Sequence, residues 1–153
     1  MSRDPNELVE PVRQRLETLR ADAAREGIDF IITYTMRTDA EQHALFAQGR
    51  KGLNEVNRLR TYAGLAPIKQ SENRVVTKLF KSVHQFGCAF DIAIVKDGKP
   101  DWADTASYEK LGELGESIGL RWGGRFKFRD LCHFEYTGGL AIAQLEKGER
   151  PTA

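Results

Sequence analysis

The chain has 153 residues, of which 41% are hydrophobic and 29% are charged, a composition typical of one globular domain with its own core. The net charge of +1 gives no bulk electrostatic attraction to nucleic acid or to a membrane surface. Residues 1–20 lack the apolar segment of a secretory signal, no apolar run is long enough to cross a bilayer, and two cysteines are too few for a disulfide framework. We therefore expect a monomer that starts in the cytoplasm, inserts into no membrane and binds no nucleic acid.

Helical and strand-like segments follow one another without a regular βαβ repeat. Asp4 and Pro5 have the residue types of a helix start, and Thr38 and Glu41 have the spacing of a capping box. The Asp97-Gly98 pair predicts a hairpin, because both residue types tolerate positive φ. This pattern indicates an α+β fold, with a small antiparallel sheet flanked by helices. In chain order the predicted helices are residues 5–26, 38–48, 54–62, 104–118 and 140–147, and the predicted strands are residues 28–34, 75–77, 90–95, 120–124 and 133–136.

Arg37 lies between the first predicted strand and the helix that follows it. Such junctions often carry functional side chains. From position alone, a surface arginine or a structural salt bridge is the more common interpretation.

The stretch from Ser82 to Asp91 is the most informative part of the sequence. His84 is one of only three histidines, and Asp91 lies within the apolar run 88–95. A carboxylate in such a run costs free energy unless it is paired or binds a metal. With His133 far downstream, two histidines and one aspartate would form a three-ligand zinc site with an open fourth position. The spacing alone fits a hydrogen-bonded histidine–aspartate pair equally well.

Two further carboxylates lie close to His133 in the sequence. In an extended segment Glu135 shares the face of His133, because strand side chains repeat with period two. Asp130 can approach the same place from a turn before the strand. Either carboxylate could therefore act as a general base, and the spacing does not choose between them.

These residues fall into three motifs that together resemble the D-Ala-D-Ala-type zinc metallopeptidases, which share a fold with lysostaphin-like peptidases and the hedgehog signalling domain. The resemblance covers residues 30–136 and looks closest to phage endolysins that are L-alanyl-D-glutamate peptidases. The motifs read Arg37-Thr38-x-x-Glu41-Gln42-x-x-Leu45, then Ser82-x-His84-x-x-Gly87-x-Ala89-x-Asp91, then Asp130-x-x-His133-Phe134-Glu135.

The resemblance implies a role for each candidate residue. Asp130 matches the catalytic acid/base, and Arg37 matches the arginine that polarises the scissile carbonyl and binds substrate. Ser82 matches a serine that contacts the substrate or supports the metal site, and Glu135 is left with a structural role. The implied zinc ligands are His84, Asp91 and His133.

The sequence departs from the family pattern beside the motifs. Cys88 and Cys132 flank two implied ligands, which raises thiolate coordination or a disulfide as alternatives. We expect both to be buried, unreactive thiols. Thr35 and Met36 stand where relatives commonly have Gly-Tyr before the arginine, and residues 51–81 match no motif, so substrate choice could depend on them.

The function implied is that of a zinc-dependent endolysin. It would hydrolyse the L-Ala-D-Glu amide of the peptidoglycan stem peptide and cause bacterial lysis. We expect one catalytic domain over residues 1–153, with no separate wall-binding domain, that reaches the wall through a holin-type pore. The alternatives are a D-Ala-D-Ala carboxypeptidase and a non-catalytic zinc-binding module.

Residues 121–129 interleave basic and aromatic side chains, as proteins that bind single-stranded nucleic acid do. A strand with one apolar and one solvated basic face explains the pattern more simply. A basic rim that attracts anionic glycan is the intermediate interpretation. We rank nucleic-acid binding last because the net charge is close to zero.

Overall fold

A computed structural model describes all 153 residues and places an antiparallel five-stranded sheet at the centre of the protein. The strand order is β1-β2-β5-β4, and β3 pairs with β2 through the predicted hairpin. The α+β expectation is confirmed. The strands are β1 (Asp29–Tyr34), β2 (Ala89–Lys96), β3 (Lys99–Pro100), β4 (Arg121–Trp122) and β5 (His133–Glu135), and the helices are α1 (Glu10–Arg25), α2 (Asp39–Ala47), α3 (Leu53–Tyr62), α4 (Thr105–Ser117) and α5 (Ile142–Glu146).

The sheet has a hydrophobic core on one face and an open cleft on the other. Helices α1 and α4 cover one face of the sheet and contact each other. Because strand side chains alternate, the even-numbered residues of β2 as far as Ile94, and those of β4 and β5, enter this core, while odd-numbered residues reach the opposite face. The core side chains of these three strands are Phe90, Ile92, Ile94, Trp122 and Phe134.

Strand β1 changes its alternation at one position. Ile32 pairs with Ile92, yet Tyr34 pairs with Asp91, so the register shifts across Thr33. A bulge of this kind bends a strand and re-aims the side chains beyond it. Tyr34 consequently lies opposite Asp91 and lines the cleft.

The first helix begins later than predicted. Asp4 does cap a turn, but that turn is a separate 3-10 helix, Pro5–Glu7. Helix α1 begins at Glu10, with Pro11 in its first turn. A continuous helix would need a hydrogen bond from residue 11, which proline cannot donate. None of the helices is both long and apolar enough to span a membrane.

Two predicted strands were wrong in whole or in part. Val75 and Val76 pair with no strand, are about half exposed, and line the cleft. The segment 120–124 forms a strand only at Arg121–Trp122, followed by a 3-10 turn at Gly123–Arg125. Apolar residues that line a cleft and those that fill a core give the same sequence pattern.

Candidate active site

Three donor atoms from distant parts of the chain meet beside the sheet. His84 Nε2 lies 3.2 Å from Asp91 Oδ1, which is 3.0 Å from His133 Nδ1. The two histidine nitrogens are 3.2 Å apart. Asp91 and His133 are cross-strand partners on β2 and β5, and His84 comes from the turn before β2. The predicted ligand set is therefore assembled in space, and these residues could hold a metal ion.

The hydrogen bond made by Nδ1 of His84 determines whether Nε2, the nitrogen that faces Asp91, carries a proton or a lone pair. Nδ1 lies 2.8 Å from the backbone carbonyl of Thr35. A carbonyl only accepts hydrogen bonds, so Nδ1 carries the proton. Nε2 of the neutral ring then presents a lone pair to Asp91 and His133, as a metal ligand must.

His133 is oriented in the same way by a side chain. Its Nε2 lies 2.8 Å from Glu135 Oε2, and Glu135 also accepts a hydrogen bond of 2.8 Å from Arg121. A carboxylate that orients a histidine ligand is the usual partner of a metal site. When the ring is neutral with its proton on Nε2, the lone pair of Nδ1 points toward Asp91 and His84. Glu135 thus has the structural position expected for it.

This donor set fits a zinc ion. Two imidazole nitrogens and one carboxylate oxygen converge, which is unfavourable unless a cation lies between them. In tetrahedral sites with bonds of about 2.0–2.1 Å, ligand atoms lie roughly 3.3 Å apart. In the metal-free protein, burial lowers the pKa of His133, but hydrogen bonds to Asp91 and Glu135 outweigh it and raise the pKa to about 9. A proton then takes the place of the cation.

The turn that carries His84 is shaped by its own side chains. Ser82 Oγ accepts a hydrogen bond of 3.3 Å from the His84 N–H, and Gln85 Oε1 accepts one of 2.8 Å from the Ser82 N–H. Gly87 ends the turn at a φ of 67°, where a side chain would press on the Glu7 carbonyl. Ser82 lines the cleft and acts on His84 through the backbone.

Arg37 lines the same cleft, of about 810 Å³. Its Nη1 donates a 2.8 Å hydrogen bond to Gln42 Oε1, and its buried Nε has no partner in the protein. Burial lowers the pKa of Arg37, although nearby charges such as Asp91 oppose this. The surface and salt-bridge interpretations are wrong, because the side chain is half-buried and bonds to an amide. A desolvated guanidinium with a free N–H is suited to an oxyanion.

Asp130 lies in the turn before β5 and also lines the cleft. Desolvation of its carboxyl and the nearby charge of Asp91 raise its pKa, as is common for a group that exchanges protons. Its backbone accepts from the His133 N–H at 3.3 Å and donates to the Gly123 carbonyl at 2.9 Å. A β-carbon at Gly123 would overlap the Asp130 carbonyl oxygen.

Sequence reasoning missed four residues that position this site. Gly123 leaves room for the Asp130 turn, and Thr35 orients His84 with a carbonyl that any residue would have. Only a side chain gives a signal in a sequence. Gln42, which stands in the first motif and accepts a hydrogen bond from Arg37, is therefore the residue whose role could have been predicted. The four residues are Tyr34, Thr35, Gln42 and Gly123.

The two cysteines are free and neither is among the converging ligands. Burial is the main cause that raises the pKa of Cys88 to about 11 and that of Cys132 to about 11. Both therefore remain protonated at neutral pH. The structure forms no disulfide, Cys88 is buried as expected and Cys132 is only partly buried; unreactive thiols stay a prediction.

The basic segment 121–129 is largely neutralised within the protein. Arg121, Arg125 and Arg129 bind Glu135, Glu116 and Glu109 at 2.8, 3.0 and 3.3 Å, respectively. The strand interpretation of the whole segment is wrong, because only its first two residues are strand. Paired arginines do not form the free basic track of a nucleic-acid binder.

The fold and this cleft define a metallopeptidase of the D-Ala-D-Ala type. Residues 76–136 match the family model described as D-alanyl-D-alanine carboxypeptidase. The peptidoglycan L-alanyl-D-glutamate endopeptidase CwlK of Bacillus subtilis is 30% identical over 147 residues, which cover 86% of this chain and 74% of that protein. The chain belongs to this metallopeptidase family.

Solved structures show the same fold. The vancomycin-resistance D,D-pentapeptidase VanY in complex with Zn(II) has a TM-score of 0.53 at 17% identity, over 92% of this chain and 76% of its own. VanYB in complex with D-alanine-D-alanine has a TM-score of 0.52 at 19% identity, over 92% and 75%. The D-Ala-D-Ala-peptidase-like fold expected from the motifs is confirmed.

Proposed function

We propose that this protein is a zinc-dependent peptidase that hydrolyses the L-Ala–D-Glu amide of the peptidoglycan stem peptide. The observation that carries the proposal is the convergence of two histidine lone pairs and the Asp91 carboxylate in one cleft with Arg37 and Asp130. The choice of bond is supported by the similarity to CwlK across most of the chain.

His84, Asp91 and His133 would hold the zinc ion. A zinc ion held there acts as a Lewis acid and makes a water molecule nucleophilic near neutral pH. The Asp130 carboxylate takes a proton from the attacking water and returns it to the leaving amine. Arg37 donates hydrogen bonds to the oxygen that becomes negative as the amide carbonyl turns tetrahedral.

The direct test is mass analysis of fragments released from purified peptidoglycan. Cleavage at the proposed bond leaves a new N-terminal D-Glu on the released peptide. Asp130→Asn is the matched control, because it keeps the metal ligands and removes the proposed base. Intact stem peptides after incubation with the zinc-loaded protein would contradict the proposal.

A D-Ala-D-Ala carboxypeptidase is the second candidate. It is favoured by the description of the family model that matches residues 76–136. The same mass analysis separates the two, because this activity releases free D-Ala and leaves the L-Ala–D-Glu bond intact. Zinc binding with neither product would identify the non-catalytic zinc module.

We further propose that the protein acts as a monomeric endolysin, with residues 1–153 as one catalytic domain that reaches the wall through a holin-type pore. This proposal is supported by the resemblance of the motifs to phage peptidases. The test is added protein on cells whose outer membrane has been permeabilised. A fall in turbidity with the wild type, and none with Asp130→Asn, is the expected result.

A further inference from the structure

The cleft has an excess of positive charge. Five lysine or arginine side chains and three carboxylates line it, although the chain has a net charge of only +1. Of the carboxylates, Asp91 belongs to the ligand cluster and Glu135 is bound to His133 and Arg121. A cleft with this balance attracts an anionic ligand.

Lys78 is a free cation on the wall of this cleft. Its ammonium lies 2.9 Å from the centroid of the Phe128 ring, and both side chains are exposed. It forms no ion pair, whereas Arg121 and Arg129 in the same cleft bind Glu135 and Glu109. A cation on an exposed ring is weakly held, so a carboxylate can recruit it.

The backbone around Lys78 is fixed although it has no regular secondary structure. The carbonyl before it, of Thr77, accepts a 3.1 Å hydrogen bond from Arg50 Nη1. The carbonyl after it, of Leu79, accepts a 2.6 Å hydrogen bond from Gln42 Nε2. Gln42 also accepts a hydrogen bond from Arg37. The Gln42 side chain therefore sets the position of Lys78 relative to Arg37.

We propose that Lys78 binds a free carboxylate of the peptide substrate and so makes the enzyme selective for acidic peptides. This inference rests on the proposed function. An L-alanyl-D-glutamyl substrate carries, on its glutamyl residue, one carboxylate that belongs neither to the scissile amide nor to the peptide chain beyond it. The Phe128 ring holds the ammonium at the cleft until that carboxylate arrives.

The test uses two L-alanyl-D-glutamyl peptides that differ only in this group, as free carboxylate or as carboxamide. We expect the wild type to have a kcat/KM about tenfold higher for the carboxylate, as one hydrogen bond to a charged group provides. Lys78→Gln should lose this preference by slowing hydrolysis of the carboxylate peptide alone. Lys78→Arg should retain it.

Lys81→Gln is the matched control. It makes the same charge change three residues away, where Lys81 lies outside the cleft and faces Glu146 at 3.3 Å. The inference is overturned if Lys78→Gln keeps the preference, or slows both peptides equally as a merely structural change would. If the wild type hydrolyses neither peptide, the proposed function itself fails, so the two failures are distinguishable.

Discussion

His84 and His133 each have one ring nitrogen engaged, and that bond determines the use of the other nitrogen. A backbone carbonyl does this for His84, and the Glu135 carboxylate does it for His133. Neither orienting group touches the converging donor atoms. The chemistry of the site therefore depends on partners that lie one hydrogen bond further out.

Asp130 and Glu135 should respond differently when each carboxylate is replaced by an amide. Asp130→Asn should keep zinc and fold but lose most hydrolysis, because an amide cannot accept the proton. Glu135→Gln should weaken zinc affinity roughly 10–100-fold, because it orients a ligand. Zinc content and initial rate, measured in one buffer, check both. An inactive Glu135→Gln with full zinc beside an active Asp130→Asn would require the roles to be exchanged.

Arg37→Ala should lower kcat while zinc stays bound. The guanidinium acts on charge that develops only in the transition state, and loss of one such donor costs about 2.7–4 kcal/mol. Arg25→Ala, at an exposed ion pair on α1, is the control and should change nothing. An unchanged kcat/KM for Arg37→Ala on peptidoglycan would exclude the role.

The candidate ligands could be selected from the sequence, because two histidines and a carboxylate in an apolar run are distinctive side chains. The base and the arginine were assigned by the resemblance of the motifs, since spacing did not choose between Asp130 and Glu135 and position alone favoured another role for Arg37. Two positioning residues could not be selected from the sequence. Thr35 contributes a backbone carbonyl, which every residue has, and Gly123 contributes the absence of a side chain. Each contacts a residue several or many positions away in the sequence, so no local pattern predicts the contact.

At the scale of elements, the three residues of β5 contribute side chains both to the candidate site and to the hydrophobic core. His133 and Glu135 face the cleft, and Phe134 between them is fully buried. The alternation of this strand could be predicted because period two is local. The length of β4 and the path of residues 75–77 could not, since they depend on whether apolar side chains find a core or a cleft.

Gly123→Ala should disturb the site without removing any polar atom. Its β-carbon would overlap the Asp130 carbonyl and approach His133, and overpacking of this kind typically costs about 1–3 kcal/mol. We expect a lower melting temperature together with weaker zinc binding and slower hydrolysis. Gly52→Ala, where a β-carbon meets open space, is the control. Wild-type zinc affinity in Gly123→Ala would show that the turn tolerates the displacement.

At the scale of the whole molecule, the proposed metal joins segments that are distant in the chain. Asp91 and His133 are separated by 42 residues, and His84 lies in another element. A ligand that binds only the folded state stabilises it by mass action, by about 4.1 kcal/mol at a thousand times its Kd. Metal binding and global stability should therefore be linked.

Removal of zinc with a chelator should lower the melting temperature by roughly 10 °C, given about 2–4 °C per kcal/mol for a chain of this size. Differential scanning calorimetry with and without zinc measures this shift. His84→Ala should melt at the same temperature in both conditions. His43→Ala, at the exposed histidine that stacks on Phe80, should keep the full zinc-dependent shift. Equal shifts in the two variants would contradict the ligand assignment.

The bulge at Thr33 places the boundary between packing and chemistry within a single strand. Before it, Phe30 and Ile32 pack in the core; beyond it, Tyr34 faces the cleft and Thr35 reaches His84. Deletion of Thr33 would remove the extra residue and leave Tyr34 opposite Asp91 in a regular ladder, but it would also remove the bend that re-aims the chain beyond it toward His84. The deleted protein should keep native far-UV circular dichroism yet bind zinc more weakly, because the Thr35 carbonyl that orients His84 is displaced. The two segments of β1 can accordingly be varied in separate libraries, one screened for stability and the other for activity.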